Sequence, residues 1–252
     1  MNTTFNIDPP LIIAHRGANV DAPENTLIAI ELAAQQGATW IEVDLHLTAD
    51  RQIIVIHDET LNRTTDGNGR VLDKTLAQLQ QLDAGSWFAN EFVGERLPSL
   101  EQLIKVLEHF KLNVNLEIKA DAGMEGETSE VTAKILQQHW PANKSLPLIS
   151  SFSSLALETM QRVAPHLPRG LLLEKWAGKD SATLATKLDC VTVNLSRRYV
   201  DAASVDSIKA LNKTIMIYTV NQPTQARELF AMGVDAIFTD CPGYMISALK
   251  QM

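Results

Sequence analysis

Short apolar runs alternate along the chain with longer stretches in which apolar residues recur at helical spacing. The runs read as strands over Leu11–Ala14, Trp40–Leu47, Leu112–Ile118, Leu146–Ile149, Gly170–Leu173, Cys190–Leu195, Thr214–Val220 and Val234–Phe238. Between them the pattern predicts helices, among them Thr26–Gln36, Leu100–Phe110, Ser129–His139, Ala156–Val163, Ala202–Leu211, Gln222–Met232 and Tyr244–Met252. Eight strands separated by helices belong to the α/β class, and they fit a TIM (β/α)8 barrel. Punctuation agrees: Pro23-Glu24-Asn25 leads into the first helix, Gly37 ends it, and Gly233 closes the helix before the last strand. One connection breaks the rhythm. Between His57 and Leu100 the chain runs for roughly 40 residues, where βα loops usually take ~2–6. This segment holds the turn cluster Asp66-Gly67-Asn68-Gly69 and the aromatics Trp87, Phe88 and Phe92, and it reads as an insertion at about 59–98 beside the barrel mouth. No composition shift marks a boundary, so 1–252 reads as one domain.

Composition narrows the function classes. With 45% hydrophobic and 21% charged residues the chain reads as folded and soluble. A net charge of −8 offers no general attraction to nucleic acid or to an anionic membrane, so an anionic substrate would need a local cationic pocket. The two cysteines, Cys190 and Cys241, form neither a disulfide framework nor a zinc motif and read as small buried residues. Met1 to Pro10 lacks the features of a signal peptide, and no run approaches the ~18 apolar residues of a membrane span, so the protein reads as cytoplasmic and not membrane-inserted. No feature of the sequence bears on an oligomeric partner.

The chemistry begins with Ile41-Glu42-Val43-Asp44-Leu45. Alternate side chains of a strand share a face, so Glu42 and Asp44 point together into the barrel. Paired buried carboxylates need a cation or protons, and a hard divalent metal supplies the first; a pair at a solvated strand end is the plainer alternative. Asn115-Leu116-Glu117-Ile118-Lys119 repeats the design with a third carboxylate and an ammonium, which suits a metal beside an anion or, more plainly, an interior ion pair. His15 and His57 each follow an apolar run, Leu11–Ala14 and Ile53–Ile56, which places both at strand C-terminal ends on the catalytic face of a barrel. Two imidazoles across a small site suit general base and general acid, although a lone histidine there is more often an ordinary hydrogen-bonding residue. Arg16 points to a phosphate oxyanion or to an acidic partner in the barrel floor, and Gly17 after it permits a tight turn. His46 reads as a rim residue, and His109, His139 and His166 as helix-end or loop residues. The Asp66–Gly69 cluster is a turn and not a phosphate loop.

Several motifs in order carry a resemblance: His15-Arg16-Gly17, Pro23-Glu24-Asn25-Thr26, Glu42-Val43-Asp44, His57-Asp58, Glu117-Ile118-Lys119, Thr219-Val220-Asn221 and Thr239-Asp240. Together they resemble the glycerophosphodiester phosphodiesterase family, most of all its compact bacterial members, and Leu82–Phe88 is similar to the family's insertion. The resemblance implies hydrolysis of a small-molecule glycerophosphodiester to sn-glycerol 3-phosphate and an alcohol. It implies a divalent cation, Mg²⁺ or Ca²⁺, on Glu42, Asp44 and Glu117, with His15 and His57 as the acid–base pair. Arg16 and Lys119 would hold phosphate, and Phe152 and Tyr218 would line the substrate pocket, Tyr218 standing where relatives often carry tryptophan. The alternatives are a lysophospholipase D, a non-catalytic barrel that binds phosphate esters, and a Schiff-base enzyme using Lys119, against which the three neighbouring carboxylates argue.

Overall fold

Leu100, Leu103, Ile104 and Leu107 are all buried on one face of a helix, which starts where Ser99 accepts from the Gln102 amide and the Gln102 side chain returns to the Ser99 amide. The same logic of one apolar stripe and a capped start repeats around the molecule. The computed structural model describes residues 10–119 and 121–250. Its strands are β1 (Ile12–His15), β2 (Trp40–Leu47), β3 (Ile53–Val55), β4 (Asn113–Ile118), β5 (Leu148–Ser151), β6 (Arg169–Leu173), β7 (Thr192–Ser196), β8 (Thr214–Tyr218) and β9 (Ala236–Thr239). The helices are α1 (Leu27–Gln35), α2 (Leu76–Leu79), α3 (Leu100–His109), α4 (Glu125–His139), α5 (Ser154–Val163), α6 (Lys179–Lys187), α7 (Ala202–Lys209), α8 (Pro223–Ala231) and α9 (Pro242–Leu249).

Eight parallel strands, β1, β2 and β4 to β9, pair in a ring that the β1–β2 and β1–β9 contacts close, as the barrel reading expects. Ile13, Trp40, Leu148, Met216, Ala236 and Phe238 fill the interior below the mouth. Ile41, Val43 and Leu45 take the opposite parity and pack outward among residues of α1 and α3. The polar residues of β2 are thereby left facing inward.

The hairpin after β2 is the main departure. The run before His57 is no barrel strand: β3 pairs antiparallel with β2, Leu45 opposite Val55 and Leu47 opposite Ile53. The chain turns at Thr48–Gln52, with Arg51 in the left-handed region at φ 57°, and descends to the level where the Ile56 amide donates to the Asp44 carbonyl. His57 therefore reaches the barrel mouth from above. The insertion that follows has its own apolar cluster of Ile54, Ile56, Leu61, Val71, Leu79, Ala84 and Leu97. Trp87, Phe88 and Phe92 stack edge to face at 5.6 and 5.5 Å. Asp66 belongs to a turn, its carboxylate accepting from the Asp83 amide at 2.8 Å.

Other boundaries shift for local reasons. α4 starts at Glu125 and not at Ser129, because Thr128 and Ser129 are buried by bonding backbone carbonyls, which an apolar pattern does not register. α6 buries only Ser181 and Ala185 and has almost no apolar stripe. α9 starts at Pro242, earlier than Tyr244, and the expected helical residues Gln251 and Met252 lie outside the described residues, as does most of the Met1 to Pro10 segment. Cys190 is buried; Cys241 is only half-buried, at the start of α9, which corrects the buried reading for it. Among the described residues no helix is long and apolar enough to cross a membrane.

Candidate active site

Three carboxylates meet at the mouth because of register. Asp44 lies opposite Glu117 across β2 and β4, and Glu42 sits two residues below Asp44 on the same face. One oxygen from each of Glu42, Asp44 and Glu117 lies within 4.8 Å of the others. Glu42 Oε1, Asp44 Oδ1 and Glu117 Oε1 are buried without a hydrogen-bond partner. Lys119 Nζ is 3.1 Å from that Glu117 oxygen and 3.8 Å from Asp44 Oδ1, ion-pair contacts without hydrogen-bond geometry. Burial, then repulsion from Asp44 and Glu117, holds the Glu42 carboxyl well above the usual carboxylate range. Burial and Asp44 push Glu117 up to about 7. Burial also acts on Asp44, but Arg16, Lys119 and His57 and the Asn25 hydrogen bond outweigh it and hold this carboxyl below its ordinary value.

Arg16 follows β1, its backbone at φ 56° and its amide bonded to the Glu42 carbonyl at 2.8 Å. Gly17 must be glycine, since a Cβ there would lie 2.6 Å from the Ala29 carbonyl carbon of α1. The Arg16 guanidinium stands 3.1 Å from Asp44 and donates to Glu24 at 2.9 Å, so both of its acidic partners are present while it still lines the cavity. Asn25 ties this loop to β2, donating to Asp44 Oδ2 at 2.9 Å.

Each histidine has a carboxylate behind it. His15 Nδ1 lies 2.7 Å from Asp240, just after β9, and Asp240 also accepts from Asn19 and Asn221. His57 Nδ1 lies 2.7 Å from Asp58. An ionised carboxylate only accepts, so both rings carry their proton on Nδ1. His15 Nε2 lies 3.8 Å from Glu42, and His57 Nε2 receives a hydrogen bond from Lys119 Nζ at 3.1 Å. Burial, with the neighbouring charges of Arg16 and Lys119, keeps the His57 pKa below its ordinary value. His46, expected at the rim, is buried instead; the hairpin folds over it and its Nε2 donates to the His57 carbonyl at 3.1 Å. His109 and His139 end α3 and α4, and His166 lies in the loop before β6.

His15, Arg16, Glu42, His57, Glu117 and Lys119 line a cavity of about 230 Å³ together with Phe152, Leu172, Tyr218 and Phe238. Phe152 and Tyr218 meet edge to face at 5.9 Å, and the Tyr218 hydroxyl donates to the Leu173 carbonyl at 3.0 Å. Beyond them opens a second space of about 510 Å³, with Glu174, Arg197 and Arg198 in its wall. Sequence reasoning assigned no role to Asp58, Asp240, Glu24 or Asn25, although each stands in a quoted motif, and it passed over Arg63 altogether.

Barrel and mouth together define the class, a phosphoric diester hydrolase on a (β/α)8 frame. The model of the glycerophosphoryl diester phosphodiesterase family matches residues 15–244. YhdW of Bacillus subtilis strain 168 is 38% identical over 237 residues, covering 93% of this chain and 96% of its own. A glycerophosphodiester phosphodiesterase of Caldanaerobacter subterraneus subsp. tengcongensis is 32% identical over 246 residues, covering 96% of this chain and 98% of its own. The structure of an Oleispira antarctica phosphodiesterase in complex with the product sn-glycerol-3-phosphate superposes with a TM-score of 0.92 at 37% identity, covering 96% of this chain and 97% of that one. The chain belongs to the glycerophosphoryl diester phosphodiesterase family.

Proposed function

We propose that the protein hydrolyses glycerophosphodiesters to sn-glycerol 3-phosphate and an alcohol, with a divalent cation held by Glu42, Asp44 and Glu117. The observation that carries this reading is that Glu42, Asp44 and Glu117 bring one carboxylate oxygen each within 4.8 Å of the others, and that each of the three holds a buried oxygen without a hydrogen-bond partner. Hard oxygen donors of this kind suit Mg²⁺ or Ca²⁺. When bound, such a cation supplies Lewis-acid polarisation of a phosphoryl oxygen. The product found in the Oleispira antarctica relative supports glycerol 3-phosphate as the retained half of the substrate.

The chain's own residues do the rest. Arg16 and Lys119 draw negative charge from the non-bridging phosphate oxygens. His57, its Nδ1 proton held by Asp58, takes the proton of the attacking hydroxyl on Nε2 once Lys119 leaves that lone pair for the phosphate. His15, entering as the imidazolium with its Nδ1 proton held by Asp240, gives its second proton, on the cavity-facing Nε2, to the departing alkoxide and is left neutral. Phe152 and Tyr218 cover the carbon skeleton of the glycerol, and the alcohol departs toward the second, wider space.

The test is glycerol 3-phosphate release from glycerophosphocholine, glycerophosphoethanolamine and glycerophosphoinositol, with lysophosphatidylcholine in parallel. Release from the water-soluble diesters supports the reading. Cleavage of the lysolipid alone would make the protein a lysophospholipase D, and tight binding without release would make it a binding barrel.

A further inference from the structure

Arg63 lies in the insertion, in a turn where the Thr65 amide and hydroxyl both bond the carbonyl of buried Leu61. Its guanidinium is saturated with carboxylate oxygens. Nη1 and Nη2 donate to the two oxygens of Glu24 at 2.7 and 2.8 Å, and Nε and Nη2 donate to the two oxygens of Asp58 at 2.7 and 3.0 Å. Each carboxylate shares one of these oxygens with a second partner: Glu24 Oε1 also accepts from Arg16 at 2.9 Å, and Asp58 Oδ1 also accepts from His57 Nδ1 at 2.7 Å. An unbroken path of charged contacts thus runs from Arg16 through Glu24, Arg63 and Asp58 to His57.

We propose that Arg63 is a positioning residue that holds the phosphate-binding arginine and one catalytic imidazole in fixed relation to each other, through Glu24 on one side and Asp58 on the other. The proposal rests on the phosphodiesterase reading for the roles of Arg16 and His57. Arg63 does not line the cavity and touches no reacting atom. Two carboxylates on different loops repel each other, and a planar fork with five N–H donors can bind both at once where a lysine ammonium cannot. The Arg63 side chain is 44% exposed, so solvent screening discounts what these pairs add to folding stability. Their consequence is orientation, because a displacement of ~1 Å at a reacting group costs on the order of 10²-fold in rate. The insertion is in this way part of the machinery of the mouth and not only a cover.

The test compares Arg63→Met and Arg63→Lys with Arg162→Met, which removes the exposed pair to Glu130 between α5 and α4. With glycerophosphocholine as substrate, Arg63→Met should lose about 10- to 100-fold in kcat/KM with nearly unchanged Tm. Arg63→Lys should fail to restore the loss, free guanidinium should partly rescue Arg63→Ala, and Arg162→Met should match the wild type. Asp58→Asn should cost less in the Arg63→Met background than alone, because one path serves both residues. Wild-type kcat and KM in Arg63→Met with a lowered Tm would make Arg63 a mere anchor of the insertion and overturn the proposal. Should the wild type itself leave glycerophosphodiesters intact, the phosphodiesterase reading fails and the clamp is judged by a crystal structure of Arg63→Met. Displaced Asp58 and His57 side chains sustain it, and unmoved ones refute it.

Discussion

Lys119 Nζ stands 3.1 Å from His57 Nε2, so an ammonium just past the end of β4 touches an imidazole that arrives on the hairpin after β2. The same ammonium stands 3.1 Å from Glu117. One ammonium therefore joins the carboxylate cluster to the His57 imidazole. Lys119→Met keeps the length and removes the charge. It should raise KM, lower kcat, and weaken product inhibition by glycerol 3-phosphate, all read from steady-state kinetics. Unaltered kinetics would take Lys119 out of substrate binding.

Removing either imidazole tests the acid–base assignment. His15→Ala and His57→Ala should each lower kcat by about 10²–10⁴, the usual worth of a positioned acid or base. Calorimetry of Mg²⁺ or Ca²⁺ binding should give near wild-type affinity in both variants, which separates loss of chemistry from loss of the cation. A variant that turns over normally would exclude its histidine from the mechanism.

The carboxylates behind the rings fix the tautomer. Asp240→Asn keeps the shape, but its amide can donate as well as accept, so the proton on His15 Nδ1 is no longer enforced. Both Asp240→Asn and Asp58→Asn should lower kcat by about 10²-fold, the scale of a small misplacement, with KM changed less. In NMR spectra the Nδ1–H resonance of the affected ring should shift or vanish. Intact turnover with a displaced resonance would show that the tautomer does not matter.

The contribution of the carboxylate cluster to folding stability of the metal-free protein should fall as pH rises. Glu117 titrates at about 7 in the folded state against an ordinary value of 4.5, and Glu42 lies above its ordinary value as well. Between pH 4.5 and about 7 the folded protein holds protons that the unfolded chain has released. Stability contributed by Glu117 is therefore complete below pH 4.5 and is lost as pH passes through about 7, and Glu42 acts with the same sign. Thermal unfolding across this range without divalent cation should show a wild-type Tm that declines relative to that of Glu117→Gln, with a smaller relative decline when the cation is present, where about 1 kcal/mol corresponds to roughly 2–4 °C. Parallel Tm profiles of the metal-free wild type and Glu117→Gln would contradict the buried like-charge cluster.

The carboxylate trio was legible because strand parity is a strict rule: Glu42 with Asp44, and Asn115 with Glu117, can face only one way once Ile41, Val43 and Leu116 face the other. The barrel was legible for the same reason, eight apolar runs each being followed by a helix-length stretch. The direction of β3 was not, since a strand of three residues carries no sign of parallel or antiparallel pairing. Nor was the burial of His46, which follows from that hairpin folding over it. Asp58 and Asp240 sit beside catalytic-looking residues in sequence, but an aspartate at a strand end reads equally well as a solvated one. Arg63 had no local signal at all, because Asp58, five residues before it, is joined through it to Glu24, which comes from the loop after β1.

The cation is the centre of the account. The decisive measurement is glycerol 3-phosphate release from glycerophosphocholine by protein stripped with EDTA, its metal content checked by elemental analysis, before and after Mg²⁺ or Ca²⁺ is returned. Release should fall by at least about 10²-fold on stripping, in line with the several kcal/mol that a Lewis acid contributes to phosphoryl transition states, and should recover with the ion in the wild type but not in Glu42→Gln. Undiminished release from verified metal-free protein would contradict the assignment of Glu42, Asp44 and Glu117 as a cation site that serves catalysis.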